Sequence, residues 1–153
     1  MPFDPDAKYQ RQPALSIRQP WAELILSGRK TIELRTWSTD YRGPLWVHTG
    51  LKADPDLERR FGLEALFHGG FVGQVLVSSI VRLDPYRWQR WRERHLSEGS
   101  MPDKTYGWVL QEPIRLAYPI PAAGELGLFE PSAELVEILH NALWEGDRTH
   151  GRA

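Results

Sequence analysis

Apolar and polar residues alternate over Ala14–Arg18, with Leu15 and Ile17 on one face and Ser16 and Arg18 on the other. That period of two predicts a half-buried strand. Pro20 suits the first turn of a helix, where its missing N–H is no loss. Trp21, Leu24 and Ile25 then share one helical face, and Gly28 offers a stop. A second strand is predicted over Thr31–Trp37, with Ile32 and Leu34 on one side and Thr31, Glu33, Arg35 and Trp37 on the other. A loop through Tyr41, Arg42, Gly43 and Pro44 leads into a strand at Leu45–Thr49. Asp54–Leu66 reads as a helix. The β-branched run Val72–Leu83 reads as a central strand. Tyr86–Leu96 reads as a further helix. Tyr106–Leu110 and Ile114–Ile120 read as two paired strands joined by Gln111-Glu112-Pro113, and Gly124–Phe129 as a loop with a short strand. Ser132–Trp144 is an amphipathic helix with Leu135, Val136, Leu139 and Leu143 inward, followed by a polar tail. Strands interleaved with short helices predict an α+β fold around a small barrel.

The 153 residues fit one domain. Residues 1–13 read as a flexible arm, 14–130 as the domain proper and 131–153 as a helix and tail packed on or beside it. No repeat, linker or low-complexity segment interrupts this. The absence of Cys removes disulfides, thiolate metal sites and a Cys nucleophile. No apolar run nears the roughly 20 residues that span a bilayer, and the polar start does not resemble a signal peptide. A soluble, cytoplasmic protein, monomeric by default, is expected.

Charge changes the picture more. The net charge is only -1, yet 15 of the 19 basic residues are Arg. Residues 1–115 hold 17 basic and 14 acidic side chains, whereas residues 116–153 hold 2 and 6. Arg suits planar, bidentate contact with phosphate and carboxylate. A locally basic patch on a neutral domain is therefore open to a polyanion, though not to wrapping long duplex.

The densest polar cluster is Gly28-Arg29-Lys30-Thr31-Ile32-Glu33-Leu34-Arg35. Glu33 and Arg35, two apart in an extended run, project from one face. Read plainly, they form an ion pair on a solvated sheet face, worth about 0.2–1 kcal/mol. Trp21 and Trp37 close to these cations offer a second reading, in which basic groups hold a phosphate backbone and an aromatic ring stacks a base.

Ala14-Leu15-Ser16-Ile17-Arg18-Gln19-Pro20-Trp21-Ala22, Gly28-x-Lys30-x-x-Glu33-x-Arg35-x-Trp37 and Tyr41-Arg42-Gly43-Pro44-Leu45 together resemble the ASCH family. Val72-Gly73-Gln74-Val75 and Tyr106-Gly107-Trp108-Val109-Leu110 extend the likeness to about Phe129. The Gln-Pro-Trp-Ala segment is most similar to the ASCH domain of thyroid-receptor-interacting transcription coactivators. The resemblance implies a PUA-like, six-stranded β-barrel with flanking helices and a cleft near the Lys/Glu/Arg motif. It implies a role with RNA, DNA or nucleotide-derived ligands. The locally basic charge favours RNA or a short, single-stranded target, and no membrane partner is expected. Lys30, Glu33 and Arg35 would line the cleft. Gln19, Trp21, Trp37 and Arg42, with Arg18 from the first strand, would form its rim. Lys30 and Arg42 would meet phosphates, and Trp37 or Trp21 would stack a base, unless Trp21 belongs to the core.

A small ASCH branch that hydrolyses N4-acetylcytidine supplies the rival expectation. It uses a Lys, a Thr nucleophile three residues on and a distant Glu. Here position 33 is Glu, so that nucleophile is missing, and Glu98 matches the distant Glu only weakly. A ribonuclease with Lys30 and Glu33 as an acid–base pair is the other enzymatic option. No cofactor is expected, and no metal, because His48, His68, His95, His140 and His150 lack ligand spacing. His95, Trp88, Trp91, Trp108 and Trp144 read as packing. Arg87, Arg90 and Arg94 read as a solvated helix face, or else as an extension of a phosphate-binding surface.

Overall fold

The computed structural model describes residues 11–149. Along the chain run β1 (Ala14–Ser16), α1 (Trp21–Leu26), β2 (Ile32–Arg35), β3 (Gly43–Thr49), α2 (Pro55–Arg60), β4 (Gly70–Arg82), α3 (Pro85–Arg90), α4 (Arg92–His95), β5 (Tyr106–Pro121), β6 (Leu128–Phe129) and α5 (Ala133–Thr149). The six strands form one sheet in the order β2-β5-β4-β3-β1-β6, curled into a half-barrel. β1 and β3 pair in parallel and the other neighbours antiparallel. The β-branched run of β4 lies inside the sheet, between β5 and β3. β2, which carries the motif, is an edge strand.

Five expectations from the sequence are corrected. Tyr106–Leu110 and Ile114–Ile120 do not pair with each other. They are one strand, β5, along β4. From Gln74 to Leu76 the partners step from Ile114 to Gln111, so three steps on β5 face two on β4. That is a bulge, with Glu112 at φ 51. Pro113, which offers no ladder donor, is tolerated beside it. The expected helix over Tyr86–Leu96 is broken at Trp91 into α3 and α4. The helix expected to reach Leu66 ends at Arg60, where Gly62 at φ 73 turns the chain back. α5 continues to Thr149, beyond the expected end at Trp144. Trp144 is 64% exposed rather than packed.

Residues 1–10 of the expected arm lie outside the described residues. The next three are fastened down. Arg11 contacts Glu130 and the Pro131 carbonyl, the Gln12 side chain bonds Gln74, and the Pro13 carbonyl accepts from the Trp46 N–H.

Two apolar cores fill the fold. One joins α1 to the sheet through Leu15, Ile17, Ile25, Leu45, Val75 and Trp108. The other seats α5 through Trp46, Phe71, Leu116, Phe129, Leu139 and Ala142. α5 comes so close to β5 that a Cβ on Gly146 would lie 2.2 Å from the Arg115 carbonyl oxygen.

Candidate nucleic-acid interface

The motif begins at the end of α1. Gly28, at φ 84, reverses the chain so that the Lys30 N–H bonds the Leu24 carbonyl at 2.9 Å. This turns the Lys30 side chain inward, where it is 2% exposed. Its Nζ donates to the His95 carbonyl at 2.6 Å, lies 3.8 Å from Glu33 Oε1 and sits 4.7 Å from the Trp21 ring centroid. Burial disfavours the ammonium and pushes the Lys30 pKa down to about 8, against the opposing pull of Glu33.

Glu33 is 5% exposed. Its second oxygen accepts from Arg35 Nη1 at 3.0 Å, so one carboxylate holds two cations. Arg35 is the more open of the two, its guanidinium 5.7 Å from the Trp37 ring centroid. The Trp37 ring meets buried Trp108 edge-on at 5.0 Å, and the Trp37 carbonyl accepts from Trp108 Nε1. Beside this strand end lies a cavity of about 490 Å³ whose lining includes Arg35, Trp37, Trp88, Ser97, Glu98 and Thr105. That size falls within the range of about 300–1,000 Å³ typical of ligand pockets.

The other rim candidates separate by what holds them. Gln19 is buried; its Nε2 donates to the Phe67 carbonyl and its Oε1 accepts from the Glu23 N–H, so it steadies the start of α1. Trp21 is partly buried, edge-on to Phe61 at 5.5 Å, with Lys30 against its ring. Arg18 is exposed. Arg42 is exposed too and donates to the carbonyls of Thr39 and Tyr41, both at 2.8 Å, with no carboxylate partner among the described residues. The structure thus gathers Lys30, Glu33, Arg35, Trp21 and Trp37 around β2, with Arg18 and Arg42 exposed at positions not tied into that cluster by any side-chain bond among the described residues.

The role of the 88–105 region was not readable in advance. The His95 carbonyl that receives Lys30 is 65 residues away in sequence. The His95 ring is buried and fixed as a neutral tautomer. Nδ1 accepts from the Ser97 N–H, which leaves Nε2–H to donate to the Trp88 carbonyl at 2.9 Å. Its pKa is lowered, chiefly by burial and further by the nearby cations Lys30 and Arg92. The Glu23–Arg115 pair, which ties α1 to β5, was also not foreseen.

A family model for the ASCH domain matches residues 15–120. The chain belongs to the ASCH family. Activating signal cointegrator 1 of mouse and that of human are each 25% identical to this ASCH protein over 119 residues. The match takes in 72% of this chain but 20% of theirs, so the chain spans about a fifth of those relatives. Among solved structures, ASCH from Zymomonas mobilis superposes with a TM-score of 0.63 at 16% identity, over 85% of this chain and 94% of the other. A tyrosine-to-phenylalanine mutant of that protein gives the same score over 86% and 98%. At that identity the likeness speaks to the fold, and it is the half-barrel described above.

Proposed function

We propose that this ASCH domain binds nucleic acid, single-stranded or short, at the end of β2. The observation that carries this reading is Arg35. Its guanidinium is oriented by a buried carboxylate on one side, lies near a Trp ring, and with that ring lines a cavity of ligand-pocket volume. Arg35, Arg42 and Arg18 contact phosphates, and Trp37 walls the cavity. Lys30 and Glu33 are positioning residues: both are too deeply buried to meet a phosphate, and together they set where Arg35 points. Family membership supports the reading, because ASCH domains are PUA-like and proposed to bind RNA.

Fluorescence anisotropy with labelled single- and double-stranded RNA and DNA, titrated in salt, tests this. Arg42→Ala should lower affinity across sequences and reduce the slope of log K against log salt by about 0.7 on a single strand. Lys30→Met should lower affinity while leaving that slope unchanged, since it removes no phosphate contact. Binding that ignores salt would sink the proposal.

The rival is a hydrolase of RNA or of a modified nucleoside such as N4-acetylcytidine. It draws on the lowered pKa of Lys30 beside Glu33. The amine, however, is buried against a carbonyl, position 33 offers no hydroxyl, and the Thr31 hydroxyl accepts from Arg94. Binding therefore ranks first. Product in the same samples, abolished by Lys30→Met, would reverse the order.

A further inference from the structure

Between residues 82 and 95 the chain carries five arginines and two acids, and the structure divides the helical arginines by task. Arg92 is spent internally: it donates to the carbonyls of Ser97 and Gly99 and to the Gln89 side chain, and lies near the Trp88 ring. Arg87, Arg90 and Arg94 have no carboxylate partner among the described residues. Arg87 and Arg94 instead hold their guanidinium carbons 5.1 Å and 4.8 Å from the centroid of one ring, Trp91. A ring so flanked is a poor platform for a base. It is a good shelf for ordering two guanidinium groups. The two acids offset little: Asp84 is engaged in capping α3, accepting from the Arg87 N–H at 2.7 Å, and Glu93 is exposed.

The shelf is bonded to the motif. The Thr31 N–H donates to the Arg94 carbonyl at 2.9 Å, Arg94 Nε reaches the Thr31 hydroxyl at 3.4 Å, and Lys30 donates to the His95 carbonyl. Thr31 lies on the same side of the strand as Glu33 and Arg35 by alternation. The arginines of α3 and α4 are thus tied to the start of the strand that carries Arg35. We propose that Arg87, Arg90 and Arg94 form a phosphate track that carries the backbone of a single-stranded nucleic acid to or from the motif. This rests on the reading of the motif as a nucleic-acid site. Ordered guanidinium groups fit phosphate bidentately. Their tie to the strand that carries Arg35 favours a nucleic acid over an acidic protein.

The test pairs two oligonucleotides, of about 4 and about 16 nucleotides, the span of single-strand site sizes on small barrels. Arg87 and Arg90 are both exposed, so R87A/R90A should fold as the wild type does, which a thermal melt checks. With the longer strand, the double variant should bind on the order of tenfold more weakly near 0.1 M salt, with a slope shallower by about 1.4. The shorter strand should bind it unchanged, and R87K/R90K should retain most of the affinity. Wild-type affinity and slope in R87A/R90A, while Arg42→Ala still weakens binding, would overturn the track alone. A wild type that binds neither strand overturns the track and the motif site together. Polyglutamate displacing the longer strand from wild type as well as unlabelled strand does would assign the face to an acidic protein and also overturn the track.

Discussion

The two regions where helices cover the curled sheet, under α5 and under α1, are built on opposite terms. Beneath α5 the contact is an apolar seam, with Leu139 and Ala142 fully buried against Trp46, Phe71 and Leu116. Beside α1 the sheet instead encloses Lys30, Glu33 and Gln19, each no more than 5% exposed, above a core that ends in Trp108. Apolar packing stabilises in proportion to the area buried. Burying charges costs free energy that their pairing offsets only when every partner is in place. The α5 region therefore needs no function to explain it. The α1 region has accepted a desolvation cost that a Leu or Met would have avoided. The return is a guanidinium, Arg35, held in one place at the surface.

The sharpest way to break this contrast is to remove one member of the charged cluster. Glu33→Ala leaves Lys30 buried with a carbonyl and the Trp21 ring but no counter-charge, and should cost about 3–5 kcal/mol. Urea denaturation would measure it. A cost under about 1 kcal/mol, the worth of an exposed ion pair, would mean the cluster is solvated after all. In the other region, Leu139→Ala removes packing alone and should cost about 2–5 kcal/mol. Oligonucleotide affinity should stay at the wild-type level for Leu139→Ala and fall for Glu33→Ala, measured below the unfolding transition of each. Equal losses of affinity in the two variants would erase the distinction between the regions.

Much of the fold was legible because periodicity reports which face is buried. β1, β2, β3, β4 and α1 all fall where alternation or helical spacing put them. β5 misled because Pro113 beside polar residues reads as a turn, and only the ladder with β4 reveals a bulge. The pairing of Glu33 with Arg35 followed from their spacing of two. The depth of Lys30 did not, because it depends on a helix end 65 residues away closing over it. Trp144 misled in the other direction. It ends the apolar pattern of α5, but it lies off the face of Leu139, Ala142 and Gly146 that packs on the sheet, which leaves the ring in solvent. Single-sequence patterns carry the near neighbours of a side chain. Burial of a charge is decided by distant ones.

The smallest effect is also the most specific to Lys30. Its pKa in the folded protein is about 8, below the ordinary 10.5 because burial disfavours the charged amine. Between those two values the unfolded chain binds more protons at this group than the folded one. Stability therefore rises with pH in that window. The contribution is fully present above 10.5 and is lost as pH falls through about 8. Other lysines and tyrosines titrate in the same range, so the quantity to follow is the difference between wild type and Lys30→Met. The wild type should gain a few degrees of Tm on this variant between about pH 8 and about pH 10. Lys30→Met itself should cost less at about pH 7 than Glu33→Ala does, since Glu33 keeps Arg35 as its partner. Parallel Tm curves for the two proteins across that range would mean that the amine reaches water, and that the α1 region hides less charge than its geometry implies.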